Sequence, residues 1–200
     1  MGPRFQAPAV PLTVGGRSLP WVTEIKYLGV TLVGARSFTC DFHPAKIKFF
    51  RSLNCIFGKI GKMSAIPLIL KIVSSNCNPS LLYGLEACPL TKRQLKSLSY
   101  PFNSVYMKLF KTFDNNTIQQ IQYYSGYLPL SYVIDLKQLT FFYDLLYEDK
   151  SPAATLFHWF GMEQMLNLQN YYAIPGSTTR GGLRGFVLNK FRTVCETSTH

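Results

Sequence analysis

The chain has 200 residues, 47% hydrophobic and 14% aromatic, which is enough apolar material for a packed domain and argues against a globally disordered chain. Only 16% of residues are charged, and 21 Lys and Arg against 10 Asp and Glu leave a net charge of +11, which suits a polyanionic partner. The alternative is charge kept for solubility alone; residues 1–112 carry 15 basic and 3 acidic residues, whereas residues 113–200 carry 6 and 7, so any polyanion site belongs to the first half.

The opening MGPRFQAPAVPLTV lacks the apolar core of a signal peptide and looks like a chain entered midway. Residues 10–33 read as two or three short strands. Val10 to Val14 is an apolar run, Gly15-Gly16 is a hairpin signal, and Ser18 to Trp21 and Ile25 to Val33 follow, with Pro20 marking a break or an edge.

From Pro44 the period becomes helical, with Asp41 or His43 near the cap and Gly61 as the stop. Ile47, Phe49, Phe50, Leu53, Ile56, Phe57 and Ile60 share one half of the wheel, and Lys48, Arg51, Lys59 and Lys62 share the other, with no carboxylate from 44 to 63. Ser64 or Ala65 opens a second helix that ends near Asn76, and Asn78-Pro79 breaks the chain before a short apolar helix around Tyr83 and Glu86. Thr91 and Gln94 have the spacing of a capping box. The helix they open has Leu95, Leu98, Phe102, Val105, Tyr106 and Leu109 on one side and Arg93, Lys96, Lys108 and Lys111 on the other. Pro101 is expected to kink or split it. Asn115 or Asn116 is expected to cap a helix ended by Gly126; Pro129 restarts one that runs to Asp149, and Ser151-Pro152 starts another, stopped at Gly161. Beyond about Tyr172 the sequence turns linker-like, with one weak basic helix over Gly185 to Cys195.

Chemistry is scarce. The cysteines, Cys40, Cys55, Cys77, Cys88 and Cys195, form no CxxC pair, and His43 near Cys40 lacks the second pair a zinc site needs, so reduced thiols in an intracellular protein and no metal are expected. The adjacent carboxylates Glu148-Asp149 fall at a helix end, Gly181 to Gly185 follows no strand, and His158 sits among aromatics as a packed residue. No cofactor is expected. The most apolar run, Ala65 to Val73, includes Lys71 and is far shorter than the roughly 20 residues of a membrane span, so no membrane partner is expected either. What remains is two basic helix faces suited to phosphate backbones, with aromatics mostly at core spacing.

Lys26-Tyr27-Leu28-Gly29-Val30 resembles the strand that follows the catalytic palm in non-LTR retrotransposon (LINE-type) reverse transcriptases. The surrounding blocks keep that family's order: Val14-Gly15-Gly16 and Trp21-Val22 before it, the basic helix after it, then Pro79, Leu81, Leu82, Tyr83, Gly84, Glu86 and Leu90, then the polar cap Thr91 to Gln94. The likeness covers residues 4–113 and continues loosely to 160, with Cys88 standing where the family usually has an aromatic.

The resemblance implies a mainly α fold, with short strands over 1–40 at the edge of a palm sheet and a thumb-like helical bundle over 41–165; the composition adds a linker-like, partly disordered tail over 166–200. It also implies a nuclear or cytoplasmic protein that holds a template–primer duplex, DNA or RNA, by its backbone. The family's paired catalytic aspartates are not in this sequence, so no polymerase activity is expected. Two other readings stand beside this one: a protein-interaction module using an exposed apolar edge, and a retrotransposon remnant with no cellular role. Ile25, Tyr27, Leu28 and Val30 are expected to pack on the first helix through Phe50, Leu53 and Phe57.

Overall fold

A computed structural model describes residues 12–60, 65–88, 90–148 and 151–197. Lys62, the expected stop at Gly61, the Ser64 cap, Asp149 and the last residues of the tail lie outside the described residues.

The chain is mainly α with short antiparallel strands at its start. β1 (Thr13–Val14) pairs with β2 (Arg17–Ser18), and β3 (Glu24–Tyr27), β4 (Val30–Val33) and β5 (Thr39–Asp41) form a sheet in that order. Helices α1 (His43–Ile60), α2 (Ile66–Asn76), α3 (Asn78–Leu82), α4 (Lys92–Phe110), α5 (Asn115–Ser125), α6 (Leu130–Leu146), α7 (Pro152–Phe160), α8 (Met162–Tyr172) and α9 (Leu183–Thr197) follow.

The strand residues pack differently from expectation. Val30 and Leu32 on the central strand β4 face the core, but Ile25, Tyr27 and Leu28 are exposed. The reason is position: β3 has a strand on one side only among the described residues, and Leu28 lies in the turn. β5 was not anticipated, because Thr39-Cys40-Asp41 has no apolar alternation; it forms by pairing with β4. On α1, Phe49 and Leu53 are fully buried, Phe50, Ile56 and Phe57 are half-buried, and Ile47 points to solvent despite its place on the apolar half of the wheel.

Pairing of Tyr27 with Val30 leaves Leu28-Gly29 as a two-residue hairpin loop, with φ of 45° at Leu28 and 85° at Gly29. Two consecutive positive φ values define the turn that favours Asn-Gly, and a leucine there is strained. Leu28→Asn should therefore raise stability by about 1 kcal/mol, read as a higher urea midpoint at unchanged slope. A lower midpoint would mean that the exposed leucine makes a stabilising contact that outweighs its backbone strain.

α4 begins as expected. The Thr91 hydroxyl accepts from Gln94 N–H and the Gln94 side chain accepts from Thr91 N–H. The helix then runs unbroken through Pro101, which is itself buried in the core. Core packing on both sides of the proline outweighs the lost backbone bond. α5 is capped by Asp114 rather than by the asparagines after it: its carboxylate accepts from Thr117 N–H at 2.8 Å and from the Thr117 hydroxyl at 2.7 Å. Those bonds hold the Asp114 carboxyl below its usual range.

The core has two parts. The first joins β4, β5 and α1–α4 to the start of α6, and the second joins the rest of α6 to α7, α8 and α9. α6 serves both, with Leu130 and Ile134 in the first part and Leu139, Phe142, Tyr143 and Leu145 in the second, which is why it is apolar around most of its circumference. The expected linker-like tail over 166–200 is mostly helical among the described residues: the weak helix expected over Gly185 to Cys195 falls within the longer α9, whose Leu183, Val187 and Phe191 are buried against α6, and α8 extends to Tyr172. Two polar contacts lock this half. Gln169 donates to the Tyr143 hydroxyl at 2.8 Å, and the Tyr172 hydroxyl donates to Asp135 at 2.6 Å. Burial pushes the Asp135 carboxyl above its usual range, and burial with the Asp135 bond raises Tyr172, so the phenol keeps its proton.

Candidate nucleic-acid interface

The two basic helices found in sequence lie side by side. Near their starts the Lys46 ammonium donates to the Ser97 hydroxyl at 2.9 Å, and farther along Lys108 donates to Asn54 Oδ1 at 3.1 Å, so α1 and α4 run in the same sense. Their inner faces are Phe49 and Leu53 on one and Leu98, Phe102, Val105 and Tyr106 on the other. Their outer faces carry Lys48, Arg51 and Lys59 on α1 and Arg93 and Lys96 on α4, with Lys111 just past the end of α4, all exposed.

Neither helix contains a carboxylate, and none of these cations makes an ion pair among the described residues. Lys108 differs from the rest of its stripe. Besides bonding Asn54, its ammonium sits 5.4 Å from the Phe57 ring centroid, so it acts as a seam between the helices.

Two exposed residues beside these cations were not singled out in the sequence. Lys92 is exposed at the first position of α4, and Tyr100 is 62% exposed one helical turn after Lys96. The i, i+4 spacing from Lys96 was the available signal for a tyrosine on the basic rather than the apolar face.

The family-motif residues come together elsewhere, as a structural joint. Gly84 has φ of 75°, and a Cβ there would meet the Val30 Cγ2 at 2.8 Å. A Cβ on Gly29 would meet the Tyr83 ring at 3.4 Å. The hairpin Tyr27-Leu28-Gly29 and the segment Leu82-Tyr83-Gly84 therefore pack against each other; close approach and positive φ favour glycine at 84, and positive φ alone favours it at 29. Glu86 pins this joint to α6: the Lys137 ammonium donates to its carboxylate at 3.1 Å and to the Leu82 carbonyl at 3.2 Å. These contacts join the hairpin of the sheet to the segment between α3 and α4, and that segment to α6. No helix among the described residues is long and apolar enough to cross a membrane. The chain matches no protein-family model, no curated protein and no solved structure.

Proposed function

We propose that this chain is a thumb-type module of the LINE reverse-transcriptase kind, which holds a nucleic-acid duplex by its phosphates and performs no polymerase chemistry. The observation that carries this reading is the pair of adjacent, carboxylate-free helices that expose Lys48, Arg51, Lys59, Arg93, Lys96 and Lys111. Unpaired cations along neighbouring helices neutralise a phosphate backbone and carry little base information. Tyr100 beside them offers a face for a sugar or an unpaired base.

A salt titration of affinity for a primer–template duplex tests this. If each of the six cations meets one phosphate, the log–log slope on B-form DNA should be about −5, with little dependence on sequence. A slope shallower than about −1 would remove the basic faces from the interface.

A second reading rests on the sheet. Val14, Trp21, Val22, Ile25, Tyr27 and Leu28 are all more than half exposed, an apolar surface of the sort that protein partners cover. Under that reading Trp21→Lys abolishes partner capture and leaves duplex affinity unchanged, whereas the duplex reading predicts that it leaves the salt slope intact and has no partner to lose.

A further inference from the structure

Cys40 and Cys88 are far apart in sequence, and their sulfurs lie 2.6 Å apart, with both residues almost fully buried. From this geometry we propose that they are a redox-modification site, closed to an intramolecular disulfide by a hydroperoxide. The sulfurs need move only a fraction of an ångström to reach the about 2.05 Å of a disulfide.

The surroundings hold the pair in position. Cys40 is the middle residue of β5, fixed by its register with Leu32. Its carbonyl accepts from the Gln94 side chain at 3.1 Å, and the same amide donates to the Thr39 hydroxyl at 3.3 Å. Gln94 is in turn held by the capping box of α4. Cys88 ends the turn that carries Tyr83, Gly84 and Glu86 over the hairpin. The new bond would therefore tie the sheet to the segment entering α4 and enclose α1, α2 and α3 in one loop.

The chemistry balances with one peroxide. One thiolate sulfur attacks a peroxide oxygen; the O–O bond breaks, the sulfur becomes a sulfenic acid, and the departing hydroxide takes that thiol's proton to become water. The second sulfur then displaces the sulfenic hydroxyl, which leaves as water with the second thiol's proton. The two thiols lose two protons and two electrons, and hydrogen peroxide takes them up to become two waters. A small oxidant is required because neither sulfur is open to a bulky disulfide such as glutathione's. Burial, then the Cys40 neighbour, pushes the Cys88 thiol up to about 12, so closure should be slow at neutral pH and quicken with base.

The test uses the full chain carrying Cys55→Ser, which removes the exposed thiol and its intermolecular products. After hydrogen peroxide, thiol labelling of the denatured chain should fall by two. A peptide map should contain a Cys40–Cys88 cross-link, and the melting temperature should rise on the order of 10 °C, reversibly with dithiothreitol, because the closed loop is long. Cys40→Ser and Cys88→Ser should each abolish the cross-link. An unchanged thiol count, or a map in which neither Cys40 nor Cys88 is cross-linked to the other, overturns the proposal. The map on the parent chain decides even if either serine variant fails to fold.

Discussion

Leu53→Ala lowers the unfolding free energy by about 2–5 kcal/mol, the range for deleting a buried leucine side chain without collapse of the space it leaves. Leu53 is fully buried on the inner face of α1, in the first core with Phe49, Phe102 and Val105. α2, α3 and α4 all pack on that helix, so no single neighbour can move in to fill the gap. Ile47→Ala on the same helix should cost less than about 0.5 kcal/mol, because Ile47 is 49% exposed. Urea unfolding of both variants gives the comparison. Equal costs would rotate α1 and carry its basic face out of solvent, which would end the duplex reading as well.

The second large effect is on binding. Replacing Lys48 and Arg51 together by alanine should flatten the salt slope by about 2 units and weaken duplex affinity roughly 50-fold near 0.1 M salt, for every sequence alike. Both side chains are exposed and neither is tied to another residue of the α1–α4 seam, so their loss leaves the fold intact. The matched control is Arg184 with Arg192, also exposed but on α9, in the near-neutral half of the chain. Lys137 is unsuitable as a control because it holds Glu86 and the Leu82 carbonyl. Titrations of both double variants distinguish a directed surface from a diffuse charge. If the α9 pair matters as much as the α1 pair, the cations act as a cloud and the two-helix surface is not the site.

Local signals in the sequence were sufficient for α1, α2 and α4 to α7 and for most of the inner and outer faces of α1 and α4. The helix expected around Tyr83 and Glu86 lies instead over Asn78–Leu82, with Tyr83 to Ala87 in turns, and α8 was not read. The 3.6-residue period placed Phe49 and Leu53 inside and Lys48, Arg51 and Lys59 outside, and the Thr91–Gln94 spacing located the start of α4. These features depend on neighbours within about one turn, so a linear reading can find them. Tertiary contacts decided the rest. Ile25, Tyr27 and Leu28 look like core residues by composition, but an edge strand and a turn leave them exposed. Residues after Tyr172 read as a linker with one weak helix over Gly185 to Cys195, because of their glycines and threonines; the second face of α6 gives Leu183, Val187 and Phe191 a place to be buried and so a longer, packed α9. The approach of Gly84 to Val30, the hold of Lys137 on Glu86 and the meeting of Cys40 with Cys88 all join residues about 50 positions apart. Such contacts leave no periodic trace, because the chain between them sets no fixed geometry until the core has formed.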